Sequence, residues 1–136
     1  MAVTYSSSLK TNRLNLVVNA LGTATSPTIS TTGTAAGSLV IGTSALSGAT
    51  GVLATITLST TPATVSGSVL TLSGTPLSAT ASATGTAALA ELRNNAGTVI
   101  VSGLTVGTSG TDIIISSTSI TSGQSVQVTS GTITHS

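Results

Sequence analysis

Apolar positions along this chain recur with two different periods. Near the N-terminus, Leu14, Val17, Val18 and Leu21 fall at i, i+3, i+4 and i+7, one stripe of a helix. Ser6, Ser7 or Ser8 is placed to cap its start, and Gly22 stands just past its end. The spacing predicts an N-terminal amphipathic helix over 6–22. Lys10 and Arg13 ahead of an apolar run also suit a secretory signal. Asn15 and Asn19 interrupt that run, however, and the charges lie inside the helical pattern, which favours a packed helix. No apolar run approaches the roughly 18 residues needed to cross a bilayer.

Segment 23–37 has no clear period, and Pro27 argues against a central strand, so it reads as a loop or edge segment. Beyond it the period falls to two. β-Branched runs recur between Gly/Ser clusters at 38–42, 52–59, 68–74, 85–93, 98–106, 111–116 and 124–135. In "SVQVT", Val126 and Val128 share one face while Ser125, Gln127 and Thr129 share the other. Ile133 has the opposite parity to those valines, so Gly131 is expected to mark a β-bulge. "III" at 113–115 does not alternate, which predicts cover on both faces. "RNNAGT" (93–98) supplies Asn and Gly for a hairpin turn. The triplet "TSG" recurs at 108–110, 121–123 and 129–131, but irregularly, and reads as repeated turn chemistry.

Short strands at intervals of about 8–12 residues suggest an antiparallel sandwich or barrel, and leave no room for crossover helices. The expected fold is therefore mainly all-β. It is one domain over 1–136: an antiparallel β-sandwich or jelly-roll-like unit of about seven short strands over 38–135, with one N-terminal α-helix.

Composition changes the picture chiefly through charge. Only 4% of residues are charged, and the formal net charge is +1. Ser and Thr make up about two residues in five, a bias that also occurs in disordered chains. Disorder usually comes with high net charge and few aliphatics, whereas Leu, Ile and Val supply about a quarter of this chain. Thr has its own reason to be abundant: it is β-branched, so it suits strands, and its hydroxyl keeps an outer face wettable. With only Lys10, Arg13, Arg93, Glu91 and Asp112 charged, most of the surface must be hydroxyl, amide, backbone and methyl groups. Near-neutral surfaces of this kind promote association. Copies of the chain itself are therefore expected partners, in a homo-oligomer or larger assembly.

The same composition excludes much chemistry. Three basic residues cannot supply the phosphate contacts of a nucleic-acid binder, and one Tyr with no Phe or Trp offers no stacking platform. Absence of Cys removes disulfides and thiolate metal sites. His135 is the lone imidazole, next to the last residue, and reads as an exposed tail group. Asp112 and Glu91 are the only carboxylates, so paired-carboxylate hydrolysis would require those two to converge. Asp112 reads instead as a turn residue bonding backbone amides. Glu91 and Arg93 share a strand face and could pair there, a contact worth little when exposed. "GTSG" and "GTAAG" lack the Lys and following helix of a phosphate loop. The expectation is no catalytic residue, no cofactor or metal site, and no enzyme.

Two stretches go beyond composition. "SLKTNRLNLVVNALG" (8–22), with Arg13–Leu14 opening the apolar stripe, resembles the opening helix of a family of small tailed-bacteriophage virion proteins. The order from "GTA" at 85 through "VGTSGTD" and "STSI" to "VQVTSGTIT" is similar to their C-terminal half, and "VLATITLS" (52–59) resembles one of their strands. The resemblance covers about half the chain. It departs at "ALAEL", where relatives often carry aromatic residues, and at 23–51, which does not align. It implies a structural virion protein without catalytic residues: a capsid decoration or cement protein on the outer surface of the shell, with the major capsid protein as partner. A tail, neck or fibre component, or a host- or carbohydrate-binding adhesin module, are the alternatives. Sugar sites usually stack an aromatic ring, and only Tyr5 could offer one.

Overall fold

An N-terminal helix forms as expected, in a computed structural model that describes residues 4–20, 37–48, 50–58, 63–72, 76–93 and 99–134. Helix α1 spans Ser7–Ala20. Ser6 is the cap: its Oγ accepts from the Leu9 N–H at 3.2 Å, satisfying a donor the first turn leaves open. Leu14 is buried and Val17 packs against the core. Val18's side chain, Leu21 and Gly22 lie outside the described residues, as does the expected loop or edge segment apart from Gly37. The helix lies against β3 and β4, described next, and Thr11 Oγ1 donates to the Gly67 carbonyl in the turn between those strands.

Eleven strands follow within the described residues. They are β1 (Ser38–Ser47), β2 (Thr50–Thr57), β3 (Ala63–Ser66), β4 (Val69–Leu72), β5 (Leu77–Thr80) and β6 (Gly85–Thr86), then β7 (Leu89–Arg93), β8 (Val99–Gly107), β9 (Ile113–Ile115), β10 (Ser119–Ile120) and β11 (Ser125–Thr134). Nine form one sheet in the order β2-β1-β7-β8-β9-β11-β4-β3, with β5 also on β11; β10 and β6 make a separate pair. Strand β11 holds this arrangement together. Its first half pairs with β5, its second half with β4, and its other edge with β9. The sheet curls until the chain after β5 meets β2, where the Ser82 N–H donates to the Leu53 carbonyl at 2.8 Å. One apolar core fills the resulting sandwich-like interior. Leu39, Ile41, Leu70, Ala90, Leu92 and Val128 there are wholly excluded from solvent.

All seven predicted windows carry strands, but the expected count is corrected upward. Window 85–93 is broken into β6 and β7 at Ala87–Ala88, whose amides donate to Thr118 and Gly42 carbonyls instead of continuing one ladder. Strands β3, β5 and β10 were not legible, because two to four residues between Pro, Gly and Ser give no period to read. The antiparallel expectation also needs correction. β8 and β9 run parallel, through Val106↔Ile113 and Gly107↔Ile114, so the sheet is mixed. Parallel neighbours usually need a crossover of a dozen or more residues; here a short "TSGTD" return suffices. Asp112 makes that possible. Its Oδ2 accepts from the Thr105 N–H at 3.1 Å and the Thr105 hydroxyl at 3.0 Å, and its own N–H donates to that hydroxyl at 3.1 Å.

The alternation of Ser125–Thr129 is as read: Val126 and Val128 are buried, and Ser125, Gln127 and Thr129 are exposed. The phase shift exists too, but it sits earlier than Gly131. The register on β9 slips between Val128 and Ser130, leaving Thr129 as the extra residue, whose hydroxyl donates to the Ile114 carbonyl at 3.2 Å. The third "TSG" is therefore a bulge within a strand and not a turn. Gly131 has a different role, since an added Cβ would lie 2.5 Å from Leu72 Cδ1. In the triple isoleucine, Ile113 and Ile115 are buried, while Ile114 is only half-covered. Strands β7 and β8 pair as a hairpin from Arg93↔Val99 onward; its turn, 94–98, lies outside the described residues.

Candidate functional site

Strand β7 places the charged residues because alternate side chains leave a strand on opposite faces. Ala90 and Leu92 enter the core, so Glu91 and Arg93 face away from it. Across from Glu91, β8 carries two residues, Ser102 and Gly103, between the paired positions Leu104 and Val101. Gly103 has φ +74°, a conformation other residues rarely adopt, and it forms this bulge. On β1, Val40 stands beside Glu91 and is also buried, though outside the main core. The outer side of β1 and β7 is thus covered at this point.

Glu91 and Arg93 do pair, as their shared face suggested, but the pair is not an exposed one. Arg93 Nη2 and Nε donate to Glu91 Oε2 at 2.9 and 3.2 Å, with the side chains 16% and 9% exposed for Arg93 and Glu91. Arg93 Nη2 also donates to the Gly48 carbonyl at 2.6 Å. That bond ties β7 to the far end of the β1–β2 hairpin. The arrangement is a brace: a carboxylate held in place by a guanidinium, with no second acid or base in contact with it among the described residues.

Asp112, the other carboxylate, holds Thr105 as described, so it does bond a backbone amide, though across the return and not within its own turn. The two carboxylates thus serve different partners and do not form the joint site that hydrolysis would need. No group of three or more His, Cys, Asp or Glu among the described residues could hold a metal ion. His135 lies outside the described residues. Tyr5 and Arg13 sit together on the helix side, with the guanidinium carbon 4.4 Å from the ring centroid, a cation–π contact.

What the fold presents to solvent is mostly hydroxyl. Thr55, Thr57, Thr64, Thr71, Thr80 and Thr129 are all exposed on strands. Other hydroxyls turn inward and brace loops: Ser82 Oγ donates to Leu53 O, and Thr111 Oγ1 to Ile113 O. Sequence reasoning had located the Glu91–Arg93 face but missed its burial and its Gly48 anchor, neither of which leaves any mark on spacing. Asn15 was read only as an interruption. In the structure it is buried, and its Oδ1 accepts no hydrogen bond. No helix among the described residues is long and apolar enough to cross a membrane. Comparison with known proteins finds no matching family, no matching curated protein and no matching solved structure.

Proposed function

We propose that this chain is a structural subunit of a bacteriophage virion, a decoration or cement protein that sits in many copies on the capsid and stabilises contacts between shell subunits. The observation that carries this reading is the exposed surface of the strands, where uncharged hydroxyl-bearing side chains predominate. Covering such a surface desolvates no charge, provided its hydroxyls find hydrogen-bond partners across the contact. The resemblance of 8–22 and 85–134 to small virion proteins points the same way. Attachment draws on apolar area removed from water, at about 25 cal/mol per Å², repeated over a lattice so that weak contacts add up. The chain acts by binding, not by turnover: its carboxylates serve as the Arg93 brace and the Thr105 clamp.

Because the binding surface carries so little charge, there is little Coulomb energy for salt to screen. Purified protein added to undecorated shells is expected to bind to saturation equally from low to molar salt. Release of the protein across that range, from shells that stay whole, refutes this mode of attachment. A tail, neck or fibre position is the second reading, supported by the same resemblance.

A further inference from the structure

We infer that the outer edge of β2, at Thr55 and Thr57, is a self-association edge that pairs antiparallel with the same edge of a second copy of this chain. The direction of each backbone group on β2 follows from its pairing with β1. The Leu58 N–H donates to the Gly37 carbonyl at 2.9 Å, and the register continues through Leu39↔Ile56 and Ile41↔Ala54. Antiparallel strands alternate between hydrogen-bonded and non-hydrogen-bonded pairs. Ala54, Ile56 and Leu58 therefore turn their N–H and C=O toward β1, and Leu53, Thr55 and Thr57 turn theirs outward. The Ser82 N–H on the Leu53 carbonyl confirms that phase, since it arrives from the outer side. Beyond this link, the outward groups of Thr55 and Thr57 have no partner among the described residues, and both residues are exposed.

Natural edge strands are usually protected by Lys, Pro, inward charges or a bulge. Nothing of that kind lies between Ala54 and Leu58: the run Ala-Thr-Ile-Thr-Leu has no charge and no proline, and its register on β1 is regular. The register slips only on the turn side of this run, where Leu53 is the extra residue between Ile41↔Ala54 and Gly42↔Val52 and a further shift precedes Ser47. The edge is also self-complementary. In an antiparallel pair centred on Ile56, Thr55 of one copy faces Thr57 of the other, and both outward residues meet as hydrogen-bonded pairs. The threonine side chains then lie side by side across the junction, a favourable cross-strand combination. A net charge of +1 gives two copies almost no repulsion to overcome. The association rests on the assembly reading only in having copies brought together; it does not depend on the assembly being a capsid.

The test is made on the full chain in solution. Sedimentation from micromolar to millimolar concentration is expected to show a monomer–dimer equilibrium, with amide hydrogen exchange at Thr55 and Thr57 slowing as dimer forms. Thr57→Pro removes an outward N–H without touching the β1 ladder, and Thr55→Lys places an ammonium group opposite Thr57 of the other copy, with the two lysines diagonal across the junction and repelling each other. Each is expected to raise the dimer dissociation constant by roughly tenfold or more. Thr64→Lys, on exposed β3, is expected to dimerise as the wild type does. A wild type that stays monomeric, unchanged exchange at Thr55 and Thr57 in a dimer, or Thr55→Lys dimerising normally overturns the inference. Shells that still take up a strictly monomeric protein would remove this inference alone; a dimer that ignores shells would remove the decoration reading alone.

Discussion

Helix α1 and the curled sheet bury their apolar residues to very different depths. In the sheet, Leu39, Ile41, Leu70, Leu92 and Val128 are wholly excluded from solvent and belong to one continuous core. On the described part of the helix only Leu14 is buried to a similar extent, Leu9 is 41% exposed, and a buried Asn15 oxygen goes without a hydrogen bond. The sheet body is an object in its own right, braced by Arg93 and clamped by Asp112. The helix is an attachment to it, held by a short apolar stripe and by Thr11 on the Gly67 carbonyl. Stability should therefore be concentrated in the body.

The largest effect is expected from Leu92→Ala, which empties a site at the centre of the core. Denaturant unfolding should show a loss of about 2–5 kcal/mol. Glu91→Ala comes next. It leaves the Arg93 guanidinium largely buried with only the Gly48 carbonyl, at an expected cost of about 3 kcal/mol. A loss comparable to that of an exposed pair, well under about 1 kcal/mol, would mean that the brace is solvated and the outer cover of β7 is loose. The smallest effect has the opposite sign. Asn15→Leu replaces an unsatisfied oxygen by apolar surface and is expected to stabilise by about 1 kcal/mol, read as a shift in the denaturation midpoint. If it destabilises instead, the asparagine has a partner when the chain works, and the helix is held by more than Leu14, Val17 and Thr11.

These effects also mark what the sequence could and could not convey. The valines of β11 and the helix stripe were readable because each sits in a run long enough to show its period. Thr129's bulge was sensed only as a parity conflict between Val128 and Ile133, which locates a slip to within a few residues but not to one. The parallel β8–β9 pair was invisible, since it depends on three bonds between Thr105 and Asp112, residues seven apart with no periodic signature. Glu91's burial was equally hidden: it arises from a bulge on a neighbouring strand and a carbonyl at Gly48, both distant in sequence. The candidate site was legible mainly as a scarcity of charge, five charged residues in the sequence, and the structure adds where Glu91, Arg93 and Asp112 are held.

At the centre of the proposal is a hydroxyl-surfaced β body covered by many neighbours on a virion shell. Electron cryomicroscopy of intact particles that carry this chain tests it most directly. Density for the sheet body is expected to repeat over the icosahedral shell, seated at the junctions between capsomers. Density confined to the tail, with the shell bare, would contradict it.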